Sequence, residues 1–288
     1  MSTFVGARWM RRYLAPWLPE RMKTGMRARL FGYRPSESAT LISCGSDDRG
    51  RFADIDGLRV RYRDDDRSDF EYHLVHNGES IEELTAFVRA ARAARLVVDV
   101  GAWKGLFSIV FCHLGGTRTA VAYEPSPVGI AAIGALADLN DCATAITIRP
   151  VAVGEHAGTA LTQVASDGIM SVDAAAAPET AQSVAVVALD DDLERLSVAP
   201  DLIKIDVEGY EYEVLRGARR TIARHHPTVF LELHLDLLER RGRAAADVVD
   251  ELYGAGYRFS TVNGEPLTRR QLIQSPHAVR RVVAAVTP

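Results

Sequence analysis

An apolar run closed by glycines, Leu96-Val-Val-Asp-Val-Gly-Ala-Trp-Lys-Gly105, restricts the fold more than any other stretch of this chain. Leu96 to Val100 is short and rich in β-branched residues, which predicts a strand buried in a parallel sheet. Gly101-x-x-x-Gly105 then predicts a tight turn, because glycine reaches positive φ without steric cost. Leu106-Phe-Ser-Ile-Val-Phe-Cys-His113 reads on as a helix. Strand, glycine turn and helix start make up the part of a doubly wound sheet where a nucleotide-like ligand sits.

The same alternation continues downstream. Further strands are expected at 119–124, 145–149, 202–206, 228–234, 257–262 and 279–286, with helices near 105–114, 127–139, 210–223 and 243–254. This β-α order implies an α/β fold: a Rossmann-like, doubly wound, mainly parallel sheet with helices on both faces. Short strands are expected in 151–165 and 183–189, around a loop containing Gly168 and Pro178. Upstream, Asp56-Gly57 lies between Arg51-Phe-Ala-Asp-Ile55 and Leu58-Arg-Val-Arg-Tyr62, a hairpin signal. Residues 70–94 read as helical, with Ile81, Leu84, Phe87, Val88 and Ala91 at helix spacing and Ser80 with Glu83 as a capping box. The chain thus divides into a basic arm with a hairpin cap, 1–74, and a ligand-binding domain, 75–288.

Residues 1–40 set eight Arg and Lys side chains, from Arg8 to Arg34, against two acids, Glu20 and Glu37, interleaved with Trp9, Leu14, Trp17 and Phe31. A helical arm packed on its own domain or on a second subunit is expected. A peripheral membrane contact through this basic arm is the alternative. The net charge of -4 gives no reason to expect nucleic-acid binding. Cys44, Cys112 and Cys142 form no C-x-x-C pair, which suits simple thiols and a cytoplasmic location. No apolar run approaches the roughly 18 residues of a bilayer span, and no signal-peptide core is evident. Asp64-Asp-Asp-Arg-Ser-Asp69 reads as a solvated loop.

Chemistry concentrates in two constellations. Asp99 lies beside the glycine turn, and Glu124 follows about 20 residues later, placed to accept hydrogen bonds from ribose hydroxyls or to sit as an acid at a helix N-terminus. The second and third glycines of a dinucleotide turn are absent, and so is a phosphate loop. A ligand with adenine and ribose but no phosphate asks less of such a turn, and S-adenosylmethionine (SAM) fits that description. The second constellation is Ile203-Lys-Ile-Asp-Val-Glu-Gly209, joined by Glu232 and His234 at the tip of the next strand. Glu208 or His234 could take a proton from an acceptor, and Asp206 could orient that acceptor or bind Mg²⁺ with Glu232 or His234. No residue is assigned to a metal. Against these stand a first-turn acid for Glu208 and a packed strand-end histidine for His234. Lys204, inside its strand, must find a partner or reach solvent.

At these residues the chain resembles the FkbM-type class I SAM-dependent methyltransferases. The resemblance covers about 75–235. It rests on Val98-Asp-Val-Gly-Ala-x-x-Gly105, Tyr123-Glu-Pro125, Ala152-Val-Gly154, Leu189-Asp190, Glu232-x-His234 and above all Asp201-Leu-Ile-Lys-Ile-Asp-Val-Glu-Gly209 with Glu213-Val-Leu-x-Gly-Ala218. It implies Asp99, Gly101, Ala102, Gly105 and Glu124 as cofactor contacts, Ala152 near the adenine, and Asp206 and Glu208 beside the acceptor. Trp103-Lys104 departs from the family's pattern, which often carries a small polar residue and a hydrophobic or small one there. The implied reaction is methyl transfer to a hydroxyl of a sugar, glycolipid or polyketide-type molecule. A nicotinamide-dependent oxidoreductase on a degenerate turn and a non-catalytic SAM-binding protein are the alternatives.

Overall fold

In the computed structural model the described residues are 42–63, 78–164, 170–172, 181–274 and 279–286. The basic arm and the 64–69 charge run lie outside them. Strand β1 (Ile42–Asp47) adds to a hairpin of β2 (Gly50–Ile55) and β3 (Leu58–Tyr62). Asp56 and Gly57 at its tip have φ of 49° and 81°. A type I′ turn needs positive φ at both central residues, so Asp-Gly sets this register. Ala53, Ile55, Val60 and Tyr62 bury themselves in the same core as Phe87 and Phe111. The Asn140 side chain ties the hairpin down, accepting the Arg61 N–H at 2.7 Å and donating to the Arg61 carbonyl at 3.0 Å.

Then follow α1 (Gly78–Ala91), β4 (Leu96–Val100), α2 (Leu106–His113), β5 (Thr119–Tyr123), α3 (Pro127–Leu139) and β6 (Ile146–Arg149). Strands β7 (Ala152–Gly154), β8 (Gly158–Val164), β9 (Met170–Val172) and β10 (Ala181–Ala188) come next. After α4 (Leu189–Leu196) come β11 (Leu202–Ile205), α5 (Glu211–Gly217), α6 (Arg219–His225), β12 (Thr228–His234), α7 (Leu235–Arg240) and α8 (Ala245–Gly254). The chain closes with β13 (Tyr257–Thr261), β14 (Pro266–Leu267), α9 (Arg269–Ile273) and β15 (Val279–Val286).

The central sheet has the order β14-β13-β15-β12-β11-β4-β5-β6. Its run from β12 to β6 is parallel, and β15, β13 and β14 add antiparallel. The fold class is therefore the one expected: a mixed α/β domain with a mainly parallel doubly wound sheet. From β4 the chain builds outward through β5 and β6, then returns to place β11 on the other side of β4. Ligands bind at the carboxyl ends of strands at such a reversal.

Strand alternation divides the core in two. Val97, Ala120, Leu202 and Phe230 pack on one face with Phe87 of α1 and Phe111 of α2. Val98, Val121, Ile203 and Val229 pack on the other with Leu215 of α5, Ile222 of α6 and Val249 of α8. By the same period Asp99, Lys204 and Glu232 stand on the α1–α2 face, where they form a polar row inside the apolar layer.

Two expectations are corrected, and the expected short strands are found to form a sheet of their own. The 210–223 helix is two helices broken at Ala218, whose φ is -112°. The Asp190 carboxylate accepts the N–H groups of Arg220 and Thr221 at 2.9 and 2.7 Å, which satisfies the start of α6 and makes the break affordable. The segments 151–165 and 183–189 build a separate sheet of order β7-β10-β8-β9, with β7 parallel to β10. Glu83 does not cap α1, which starts at Gly78. It lies buried in the helix interior, facing Lys204.

Candidate functional site

The glycine turn is held from three sides. Gly101 has φ of 79°, and a Cβ there would lie 1.8 Å from the Asp206 carbonyl oxygen, so the tips of β4 and β11 can approach this closely only around a glycine. Gly105, also at φ 79°, opens α2 against Ile133. Trp103 takes a left-handed φ of 49°. Its N–H is received by Oε2 of Glu124 at 2.7 Å, while Oε1 of Glu124 accepts the Ser126 N–H at 2.7 Å. Burial pushes the Glu124 carboxyl up to about 7 against the pull of these two donors. Glu124 thus braces the turn and stands at the entry to α3.

A cavity of about 120 Å³ lies against this turn, lined by Gly101, Ala102, Trp103 and Lys104, by Ser80 and Glu83 of α1, and by Asp99, Lys204, Asp206, Glu232 and Arg281. Asp99 is buried, and its Oδ2 accepts from both Ser108 Oγ at 2.7 Å and Ser108 N–H at 3.2 Å. Burial pushes its carboxyl up to about 6. Asp99, Gly101, Ala102, Asp206 and Glu232 are sequence candidates that border the cavity, whereas Glu208 and His234 lie outside its lining. Gly105 and Glu124 support its wall. Ala152 sits half-buried on β7 opposite Val186, outside the lining.

Lys204 settles the question its position raised. Its ammonium, 1 % exposed, is 2.8 Å from Oε1 of Glu83, 3.7 Å from Glu232 and 3.8 Å from Asp206, with the Phe107 ring 5.0 Å away. The Glu83 contact is an ion pair whose alignment does not make a hydrogen bond. Arg281 closes the network, 2.6 Å from Glu232 and 3.2 Å from Glu83. Burial works against the charge on Lys204, but Glu83, Asp206 and Glu232 outweigh it and raise the ammonium above its usual value. Burial and the neighbouring Asp206 push Glu232 upward. Lys204 and His234 hold Asp206 low despite its own desolvation.

At the outer end of this network Asp206 and Glu208 each keep about a third of the side chain exposed. His234 lies between them, its Nε2 3.5 Å from Glu208 and 3.8 Å from both Asp206 and Glu232. Glu208 has φ of 49°, a strained value for a non-glycine residue that turns its side chain back toward the strand tips. Desolvation raises its carboxyl, and His234 opposes that rise. Asp206, Glu232 and His234 could each offer one donor atom to a metal ion. Lys204 and Arg281 already compensate these carboxylates, so a divalent cation would stand beside two fixed positive charges. The donor set therefore does not fit Mg²⁺, and no step is assigned to one.

The sequence reading missed Glu83, Glu211 and Arg281. Arg281 carried a signal, since a charged residue inside the apolar run Val279–Val286 needs a partner. Glu83 was hidden by a spacing that also fits a capping box. Glu211 gave no sign of its proximity to His234.

The methyltransferase FkbM domain profile matches residues 99–259, more than half of the chain. None of the curated proteins searched matches it. Among solved structures, methyltransferase FkbM from Methylobacillus flagellatus is 18% identical, at a TM-score of 0.44, over 67% of this chain and 43% of that one. This chain thus spans less than half of that protein. The O-methyltransferase TomG of Streptomyces achromogenes, solved with SAM, is 11% identical at a TM-score of 0.45, over 80% of this chain and 92% of that one. The O-methyltransferase of Bacillus cereus, solved with SAH, is 10% identical at a TM-score of 0.40, over 72% and 80%. All three TM-scores lie below 0.5, and the assignment stands on the domain match: the chain belongs to the methyltransferase FkbM domain family.

Proposed function

We propose that this protein transfers a methyl group from SAM to a hydroxyl of a small molecule or glycan. The observation that carries this reading is the cavity at the β4–β11 reversal, where the glycine turn meets both cations and carboxylates. The amino-acid end of SAM carries an ammonium and a carboxylate, and its sulfonium is a cation. The wall is lined by Lys104 and Asp99 beside the Lys204–Asp206 network, so groups of both signs border the space those three charges would enter. Asp99, Gly101, Ala102 and Gly105 would hold that end, with Glu124 at the ribose and Ala152 toward the adenine. When bound, SAM supplies an electrophilic methyl whose carbon–sulfur electron pair stays with sulfur.

The chain's own residues then have to place an acceptor and remove its proton. Asp206, about a third exposed at the cavity edge, orients the acceptor hydroxyl. Glu208 or His234 takes the proton as oxygen attacks. Alignment of the two reactants supplies most of the acceleration in such a transfer, and a positioned base adds roughly 10²–10⁴-fold. A small-molecule or glycan acceptor agrees with a site of planar carboxylates beside Trp103. The basic arm, 1–40, would bring the domain to a second subunit or to a membrane carrying a lipid-linked acceptor. Among the described residues no helix is long and apolar enough to cross a membrane.

The test is incubation with methyl-labelled SAM and a panel of hydroxylated and amine-bearing acceptors. Label recovered in ether linkages is the expected result. Label recovered only on nitrogen would overturn the O-methyl assignment, and turnover of no acceptor alongside tight SAM binding would favour the non-catalytic alternative.

A further inference from the structure

His234, the last residue of β12, is 4 % exposed. Its Nδ1 is 2.8 Å from Oε1 of Glu211, the first residue of α5, and Glu211 is itself fully buried. The same oxygen accepts the Gly209 N–H at 3.1 Å. That oxygen already stands as an acceptor, and an Nδ1–H gives it a second donor. On the other side of the ring Nε2 faces Glu208, Asp206 and Glu232 at 3.5 to 3.8 Å. A lone pair there would face the Glu208 and Asp206 carboxylates, whereas an N–H would be attracted by both. Neutral imidazole has only one hydrogen to share between its two nitrogens.

We propose that Glu211 is a positioning residue that holds His234 as a doubly protonated cation, and that this cation fixes Asp206, which lines the cavity, and Glu208 two residues on. The proposal rests on the methyl-transfer reading of this site. A cation cannot take a further proton, so the acceptor proton passes to Glu208. The acceptor O–H bond would break, the hydrogen going to the Glu208 carboxylate as a proton, and the oxygen electron pair would form the new bond to the methyl carbon while the carbon–sulfur bond breaks and its pair stays on sulfur. His234 thereby becomes a positioning residue, and Glu208 becomes the base. The exposed third of the Glu208 side chain leaves it reachable, and its left-handed backbone keeps it turned toward His234.

The surrounding charges agree. Glu211 comes from α5, Asp206 and Glu208 from the segment after β11, and Glu232 from the strand of His234 itself. Lys204 and Arg281 offset Asp206 and Glu232 but reach neither Glu208 nor Glu211 at ion-pair distance. Burial pulls the imidazole down. The hydrogen bond from Glu211 and the charges of Glu208 and Asp206 push it up to about 9.

The experiment is long-range proton–nitrogen NMR of the full chain labelled at histidine, from pH 5.5 to 10, with the His234 signal identified by its loss in His234→Gln. The expected spectrum shows both ring nitrogens of His234 protonated at pH 7.5. In Glu211→Gln its midpoint should fall by at least one pH unit, a tenfold loss of proton affinity. In Glu208→Gln, a milder change at the surface, it should fall by a smaller step. A neutral imidazole at pH 7.5, or a midpoint unmoved in both variants, would overturn the proposal. The spectra need no cofactor, and calorimetric SAM binding on the same samples reports separately on the methyl-transfer reading.

Discussion

At the scale of single residues, the glycine turn illustrates what a sequence pattern conceals. Gly101 was expected to let backbone approach a ligand. In the structure it lets two strand tips approach each other, because the Asp206 carbonyl occupies the space a side chain would need. Gly101→Ala should therefore destabilise the fold by about 2 kcal/mol or more through overpacking and a positive φ. Urea unfolding checks this; an unchanged midpoint would mean that the tips separate freely. Asp99→Ala and Glu124→Ala should each weaken SAM binding tenfold or more, and normal affinity in both would contradict the pocket assignment. Asp99, Gly101 and Glu124 were legible because strand, turn and spacing mark such positions in any doubly wound sheet. Glu83 and Glu211 were not, because their partners, Lys204 and His234, lie on other elements, and a single sequence carries no record of which helix face meets which strand.

At the scale of elements, α1 is clamped to the sheet by charge as well as by apolar packing. Phe87 packs against Phe230 with ring centroids 5.4 Å apart, and one turn away Glu83 meets Lys204 and Arg281. Replacing Lys204 by Met leaves Glu83 and Glu232 buried with Arg281 as the one cation they still share among the described residues. Breaking a buried pair in this way costs about 3–5 kcal/mol. K204M should lose stability on that scale, and part of the loss should return in the K204M/E83Q double variant. Absence of any recovery in the double variant would show that Glu83 is compensated elsewhere. Helix and strand positions were largely legible, since the periodicity of the buried faces is strong. The break at Ala218 was not, because it depends on Asp190 supplying backbone hydrogen bonds from a distant helix. The second sheet was visible only as short apolar segments, since its pairing of β7 with β10 joins residues far apart in the chain.

At the scale of the whole molecule, the site concentrates groups that bind protons more tightly in the native state than in the unfolded chain. Asp99 is pushed up to about 6, Glu124 to about 7 and His234 to about 9. Between about pH 4 and 7 the two carboxyls hold more protons folded than unfolded, so stability falls as pH rises through that window. The contribution of His234 is complete below about pH 6.5 and is lost as pH rises through 9, with an upper bound of about 3 kcal/mol. All three have the same sign. The urea midpoint should be higher at pH 6 than at pH 9.5, and His234→Gln should flatten the upper part of that dependence. A protein more stable at pH 9.5 would contradict the buried charge arrangement. The central claim remains that the cavity beside the glycine turn takes an adenosyl sulfonium cofactor. Isothermal titration with SAM and S-adenosylhomocysteine, beside NADH, tests it most directly: the account requires saturable binding of both adenosyl ligands and none of NADH, and binding of NADH alone, or of no ligand, would contradict it.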